Sequence, residues 1–177
     1  MNPIELIEDH MRHVNVQMFP THKRFFQLTL HAFSLICRIT TYELYLNEAS
    51  LGEGLVVKTW WDYFEDMMKW AQQGVPHPWN IVTINLHWVK AQTSQAHLTE
   101  IISPLMNVEL SVLPIPREEW EGREKSETTA GGVYELTFGF DVPQVRYRWL
   151  EIPQNWQPLL SIVEDLQAEM DELLYKR

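Results

Sequence analysis

Residues 25–46, FFQLTLHAFSLICRITTYELYL, admit two readings, and the choice between them decides the fold. Phe26, Leu28, Leu30 and Ala32 alternate along the chain, and Phe33, Leu35, Cys37 and Ile39 then alternate in the other parity. Two strands would give that pattern, or one strand with a bulge near Ala32–Phe33. Phe25, Leu28, Ala32, Leu35, Ile39, Tyr42 and Leu46 also follow the three-four spacing of a helix. The β-branched and aromatic content, from Thr29 and Ile36 to Thr40, Thr41, Tyr42 and Tyr45, favours strands.

Outward from this stretch, LNEASLGEG reads as a turn, with Asn47 and two glycines as breakers. Next comes WWDYFEDMMKWAQQGVPHPW, residues 60–79, with four of the chain's eight tryptophans. Thr59-x-x-Asp62 resembles a capping box, and Gly74 with Pro76 is a stop, so a central helix is expected over 60–73. On that helix Trp60, Trp61, Phe64, Met67, Met68 and Ala71 fall within an arc of about 120°, a core face. Tyr63 and Trp70 lie just beside it. Either a second element covers them, or they anchor a basic partner beside the carboxylates.

Val82, Ile84, Leu86 and Trp88 alternate with Thr83, Asn85 and His87, a strand that AQTSQ is expected to break. Leu98 to Leu105 suggest a short helix limited by Pro104, and Val108, Leu110 and Val112 a further strand. Residues 133–140 and 145–152 read as two strands around a turn. A helix starts near Asn2-Pro3-Ile4-Glu5 and covers about 3–13. Another occupies 157–175, with Leu159, Val163, Leu166, Met170 and Leu173 on one stripe. The sum is an α+β fold: a mostly antiparallel sheet of about five to six strands, with helices mainly on one face. The 177 residues fit a single domain, 1–177, carrying a long charged loop at 114–132.

Charge narrows the function. The chain carries 24 acidic and 14 basic residues, a net of −10, and residues 61–177 hold 18 acids against 9 bases. Such a field repels phosphate, so no nucleic acid and no anionic membrane is expected as partner; a basic protein is attracted. Net negative charge also simply favours solubility. Phe25–Leu46 is interrupted by Gln27, His31, Arg38 and Glu43 and cannot cross a membrane. One cysteine, Cys37, excludes an internal disulfide, and with the acidic opening MNPIELIEDH this points to a cytoplasmic protein.

Chemistry-bearing clusters are sparse. His10 and His13 supply two metal donors where three or four are needed, and His97-x-x-Glu100 is a similar pair, so no metal or cofactor is expected. Cys37 has no base nearby, and no Gly-x-Ser-x-Gly turn or phosphate-cradling loop is present. No residue is assigned a catalytic role, and the reading leans away from an enzyme. Trp120 stands in a polar loop among Glu118, Glu119 and Glu121, and either plugs back onto the sheet or meets a partner.

The leading expectation is a non-enzymatic protein-interaction domain, of immunity-protein or inhibitor type by analogy of size and charge. It would bind a basic protein through Tyr63, Trp70, Glu118, Glu119, Trp120 and Glu121. The alternative is a small-ligand-binding or enzymatic domain with a pocket near Trp79, His87 and Arg146. A third reading is a homodimer that buries Tyr63 and Trp70.

Overall fold

The computed structural model describes residues 19–33, 37–62, 72–74, 86–107, 134–140, 145–149 and 157–176. In chain order these form β1 (His22–Phe33), β2 (Cys37–Asn47), β3 (Glu53–Asp62), β4 (His87–Ser94), α1 (Gln95–Met106), β5 (Tyr134–Phe140), β6 (Val145–Trp149) and α2 (Gln157–Tyr175). The fold is α+β, with an antiparallel sheet and, among the described residues, two helices.

The framework is the meander β1-β2-β3-β4. Leu28 pairs with Tyr42, Tyr42 with Lys58, and Lys58 with Val89. β5 pairs along the free side of β1 and β6 along β5, giving the order β4-β3-β2-β1-β5-β6. The 25–46 stretch is therefore strand, β1 paired antiparallel with β2, as its β-branched and aromatic content favours. Its irregularity falls between Arg24 and Phe26, not near Ala32–Phe33. The β2–β3 turn is made where the breakers stand. The Asn47 side chain accepts from the Ala49 N–H at 2.9 Å, and Gly52 takes φ 90°, a conformation that disfavours any side chain.

The expected central helix over 60–73 is overturned at its start. Trp60, Trp61 and Asp62 end β3, paired with Thr40, Ile39 and Arg38. Thr59 is a buried mid-strand residue rather than a cap, and Asp62 accepts from the Arg38 guanidinium. The run Leu55-Val56-Val57 and the partner strand β2 decide this, since β-branched residues suit a pleated surface and each strand residue gains ladder bonds. Residues 63–71 lie outside the described residues, as do the helix expected at 3–13, the strand at 108–112 and the loop at 114–132. Gly74, the expected stop, has φ 70°.

The strand expected from Val82 begins at His87, with residues 82–85 outside the described ones, and it runs further than expected at its other end. Ala91, Gln92, Thr93 and Ser94 continue the strand because β3 pairs with them as far as Glu53–Ser94. Ser94 then caps α1, accepting from the His97 N–H at 3.2 Å. Pro104 does not confine α1 to its first turns. It sits in the last turn, where burial of Leu98, Ile101, Ile102 and Leu105 outweighs one lost backbone bond.

Both helices cover one face of the sheet. Phe26, Leu28, Tyr42, Leu44 and Val56 meet Leu98, Ile101 and Leu105 of α1 and Leu159, Val163, Leu166 and Met170 of α2 in one core. Each such leucine contributes roughly 2 kcal/mol of burial. α1 lies so close that a Cβ on Gly54 would stand 2.3 Å from Leu98 Cδ1.

Candidate interaction surfaces

Period-two alternation sends Gln27, Thr29, Thr41, Glu43 and Thr59 to the face away from the helices, and all five are buried. Thr29, Thr41 and Thr59 are cross-strand neighbours on β1, β2 and β3. Gln27 donates to the Thr29 hydroxyl at 3.0 Å, and the Thr29 and Thr41 hydroxyls are hydrogen-bonded to each other at 3.1 Å. Glu43, 1% exposed, accepts from Arg24 Nη1 at 2.7 Å on Oε1 and from the Tyr45 hydroxyl at 2.6 Å on Oε2. Burial, then the adjacent Glu43 charge, pushes the Tyr45 hydroxyl well above its ordinary range, so this phenol stays a donor. Ile39, Leu55, Val57 and Trp61 fill the same face. The arrangement is a polar network set into apolar surroundings.

Among the described residues, a polar cluster stands on the helix-covered face. Asp171 Oδ1 accepts from Lys58 Nζ at 2.7 Å and from the Tyr42 hydroxyl at 3.0 Å. The ammonium stands 5.0 Å from the Tyr42 ring centroid and 5.4 Å from that of Tyr175. Burial alone would lower the Lys58 pKa, but its bonds to Asp171 and Tyr42 outweigh that and raise it. Burial pushes the Tyr42 hydroxyl up to about 12 against the pull of Lys58. These groups tie α2 to the sheet.

Among the described residues, α2 and β4 both carry side chains that face solvent. On α2, Glu164, Asp165, Glu169 and Glu172 are exposed, and no basic residue appears in the helix. Just beyond its end, Lys176 bonds to Glu172 at 2.7 Å and holds that carboxyl below the usual range. On β4, Trp88 is 44% exposed and packs edge-on to Phe19, with Lys90 Nζ over both rings, 5.1 Å from Phe19 and 5.9 Å from Trp88. Phe19 also packs on Tyr45 and His22.

Of the residues expected at a partner site, Tyr63, Trp70, Glu118, Glu119, Trp120 and Glu121 lie outside the described residues, as does Trp79. His87 opens β4, exposed and stacked on Trp60 at 5.4 Å. Arg146 lies in β6, in register with Thr137. β4 and β6 are opposite ends of the sheet order, five strand spacings or about 24 Å apart, so these two positions are not neighbours. Among the described residues no three His, Cys, Asp or Glu side chains form a cluster able to hold a metal, and no helix is long and apolar enough to cross a membrane.

Sequence reasoning missed Glu43 with Arg24 and Tyr45. A signal existed: an acid two residues from a tyrosine, in strand parity, on a hairpin whose partner strand carries an arginine. Comparison with known proteins found no matching family model, no matching curated protein and no matching solved structure.

Proposed function

We propose that the chain is a non-enzymatic interaction domain that binds a basic protein partner, in the manner of an immunity-type or inhibitor protein. The observation that carries this reading is the solvent face of α2, where Glu164, Asp165, Glu169 and Glu172 stand exposed on a helix without a basic residue. In a chain of net charge −10, such a face steers a cationic partner and raises its association rate. Tyr63, Trp70 and the Glu118–Glu121 segment with Trp120 would supply further anchors, aromatic groups flanked by carboxylates. A second reading, a small-ligand-binding or enzymatic α+β domain, is supported by the buried network of Gln27, Thr29, Thr41, Glu43 and Thr59 rather than by His87 with Arg146.

Native mass spectrometry of the gently purified protein at low salt separates the two. A co-purifying basic protein at fixed stoichiometry supports the interaction reading. Reversal of Glu164, Asp165 and Glu169 to Lys, or of Glu118, Glu119 and Glu121 to Lys, should then slow association at low salt. A small fixed added mass, with no protein bound, supports the ligand reading. An acidic partner, or association unchanged in both triple variants, sinks the acidic-surface proposal.

A further inference from the structure

Among the described residues, the outer edge of β4 has no partner strand. β4 pairs with β3 over eight unbroken positions, from Glu53–Ser94 to Trp60–His87, with no bulge and no proline. Among the described residues it ends the sheet order, and its side chains alternate between the two faces: Val89, Ala91 and Thr93 half-buried, Trp88, Lys90 and Gln92 exposed. Proteins usually protect such edges with prolines, bulges, short strands or several charges. Here a single charge, Lys90, stands in mid-strand.

The occupant follows from that charge. The described ion pairs engage Arg24, Arg38, Lys58, His97 and Lys176. Lys90 is described only over the rings of Phe19 and Trp88, and no described carboxylate pairs with it. A strand laid about 4.8 Å from β4 places one side chain opposite Lys90 and another opposite Trp88, two residues along the same face. A carboxylate opposite Lys90 and an apolar side chain opposite Trp88 complement that face.

We infer that β4 is a docking edge for an extended segment of a partner protein, added as a further strand, with an acidic residue opposite Lys90. A second copy of this chain fits less well. The face-matched antiparallel registers that pair nearly all of β4 with itself set the two Lys90 ammoniums directly opposite, or on a diagonal of about 7 Å, and like charges there repel. The net charge of −10 opposes an acidic segment at long range but is screened beyond about 8 Å at physiological ionic strength. This surface is separate from the acidic face of α2: Trp88 and Lys90 lie on the side of the sheet away from the helices.

The test is selection of a display library of random nine-residue peptides on the full chain, with Lys90→Glu selected in parallel. Enriched peptides should be β-branched or aromatic with a central Asp or Glu, and their binding should shift the backbone amide resonances of β4. On Lys90→Glu the same peptides should bind at least roughly fivefold more weakly, and lysine-centred peptides should replace them. Lys90 is a solvent-facing side chain with no described hydrogen bond, so the variant is expected to fold. No enrichment, enriched peptides indifferent to Lys90→Glu, or shifts confined to α2 would overturn the inference. A concentration-dependent dimer blocked by the peptides would also overturn it, by making a second copy the occupant.

Discussion

In β1, β2 and β3 both faces of the sheet hold buried residues, of different chemistry. Under α1 and α2 the contact among the described residues is mainly apolar, Phe26, Leu28, Leu44 and Val56 against helix leucines, isoleucines and a valine, with Tyr42, Lys58 and Asp171 a polar exception. On the other side Gln27, Thr29, Thr41, Glu43 and Thr59 are equally inaccessible. The apolar face gains stability from area removed from water and tolerates volume-conserving change. The polar face contributes only while each group keeps its hydrogen bonds, since a buried donor or acceptor left alone costs more than its bond contributes. One face stabilises the sheet through area removed from water, the other through hydrogen bonds that leave no buried polar group alone.

Phe26→Ala is the largest expected perturbation, because it removes a ring from the centre of the helix-covered core. A loss of about 4 kcal/mol in urea unfolding is expected. Close behind comes Glu43→Ala on the other face, which strands the Arg24 guanidinium and the Tyr45 hydroxyl. A loss of about 3 kcal/mol is expected by the same measurement. If Glu43→Ala unfolds the protein no more easily than an exposed substitution, the polar face is not a stabilising network and the contrast between the faces fails.

The smallest effect sharpens the comparison through pH. Tyr42 on one face and Tyr45 on the other both hold their protons more tightly when folded. A raised phenol pKa gives stability that is complete below the unfolded value near 10 and is lost as pH rises from there through the folded value, about 12 for Tyr42. Tyr42→Phe should cost about 1 kcal/mol at neutral pH, from the lost bond to Asp171. It should also flatten part of the stability loss between about pH 10 and 12, leaving the share of Tyr45. Denaturant midpoints across that range, with tyrosinate absorbance, check both statements. An unchanged alkaline arm in Tyr42→Phe would show that its proton does not stabilise the fold.

Much of the framework was legible because hydrophobic parity survives in the chain. Phe26, Leu28 and Leu30 alternate, and their partner strand repeats the pattern through Tyr42, Leu44 and Leu46. β3 was not legible as a strand because its last residues, Trp60 and Trp61, also fit a helical arc running on to Ala71. Only the pairing with β2 removes that ambiguity. The buried polar face was hidden for a different reason. Gln27 and Thr29 at alternate positions look like the solvent side of a half-buried strand, and composition does not show that something covers them. The Tyr42–Lys58–Asp171 cluster joins residues 113 and 129 positions apart, a separation that leaves no local pattern to read. The residues expected to meet a partner, Tyr63, Trp70 and Glu118 to Glu121, lie outside the described residues and remain a proposal.

The passage from β4 to α1 has a mechanical meaning. Ser94 is the last residue of the strand and the cap of the helix, and the next amide, Gln95 N–H, is held by the Gly52 carbonyl at 2.8 Å. No linker stands between strand and helix, and Gly54 lets Leu98 press directly on β3. Such a corner has little compliance. A load applied along β4 is expected to reach α1 with no intervening loop to absorb it.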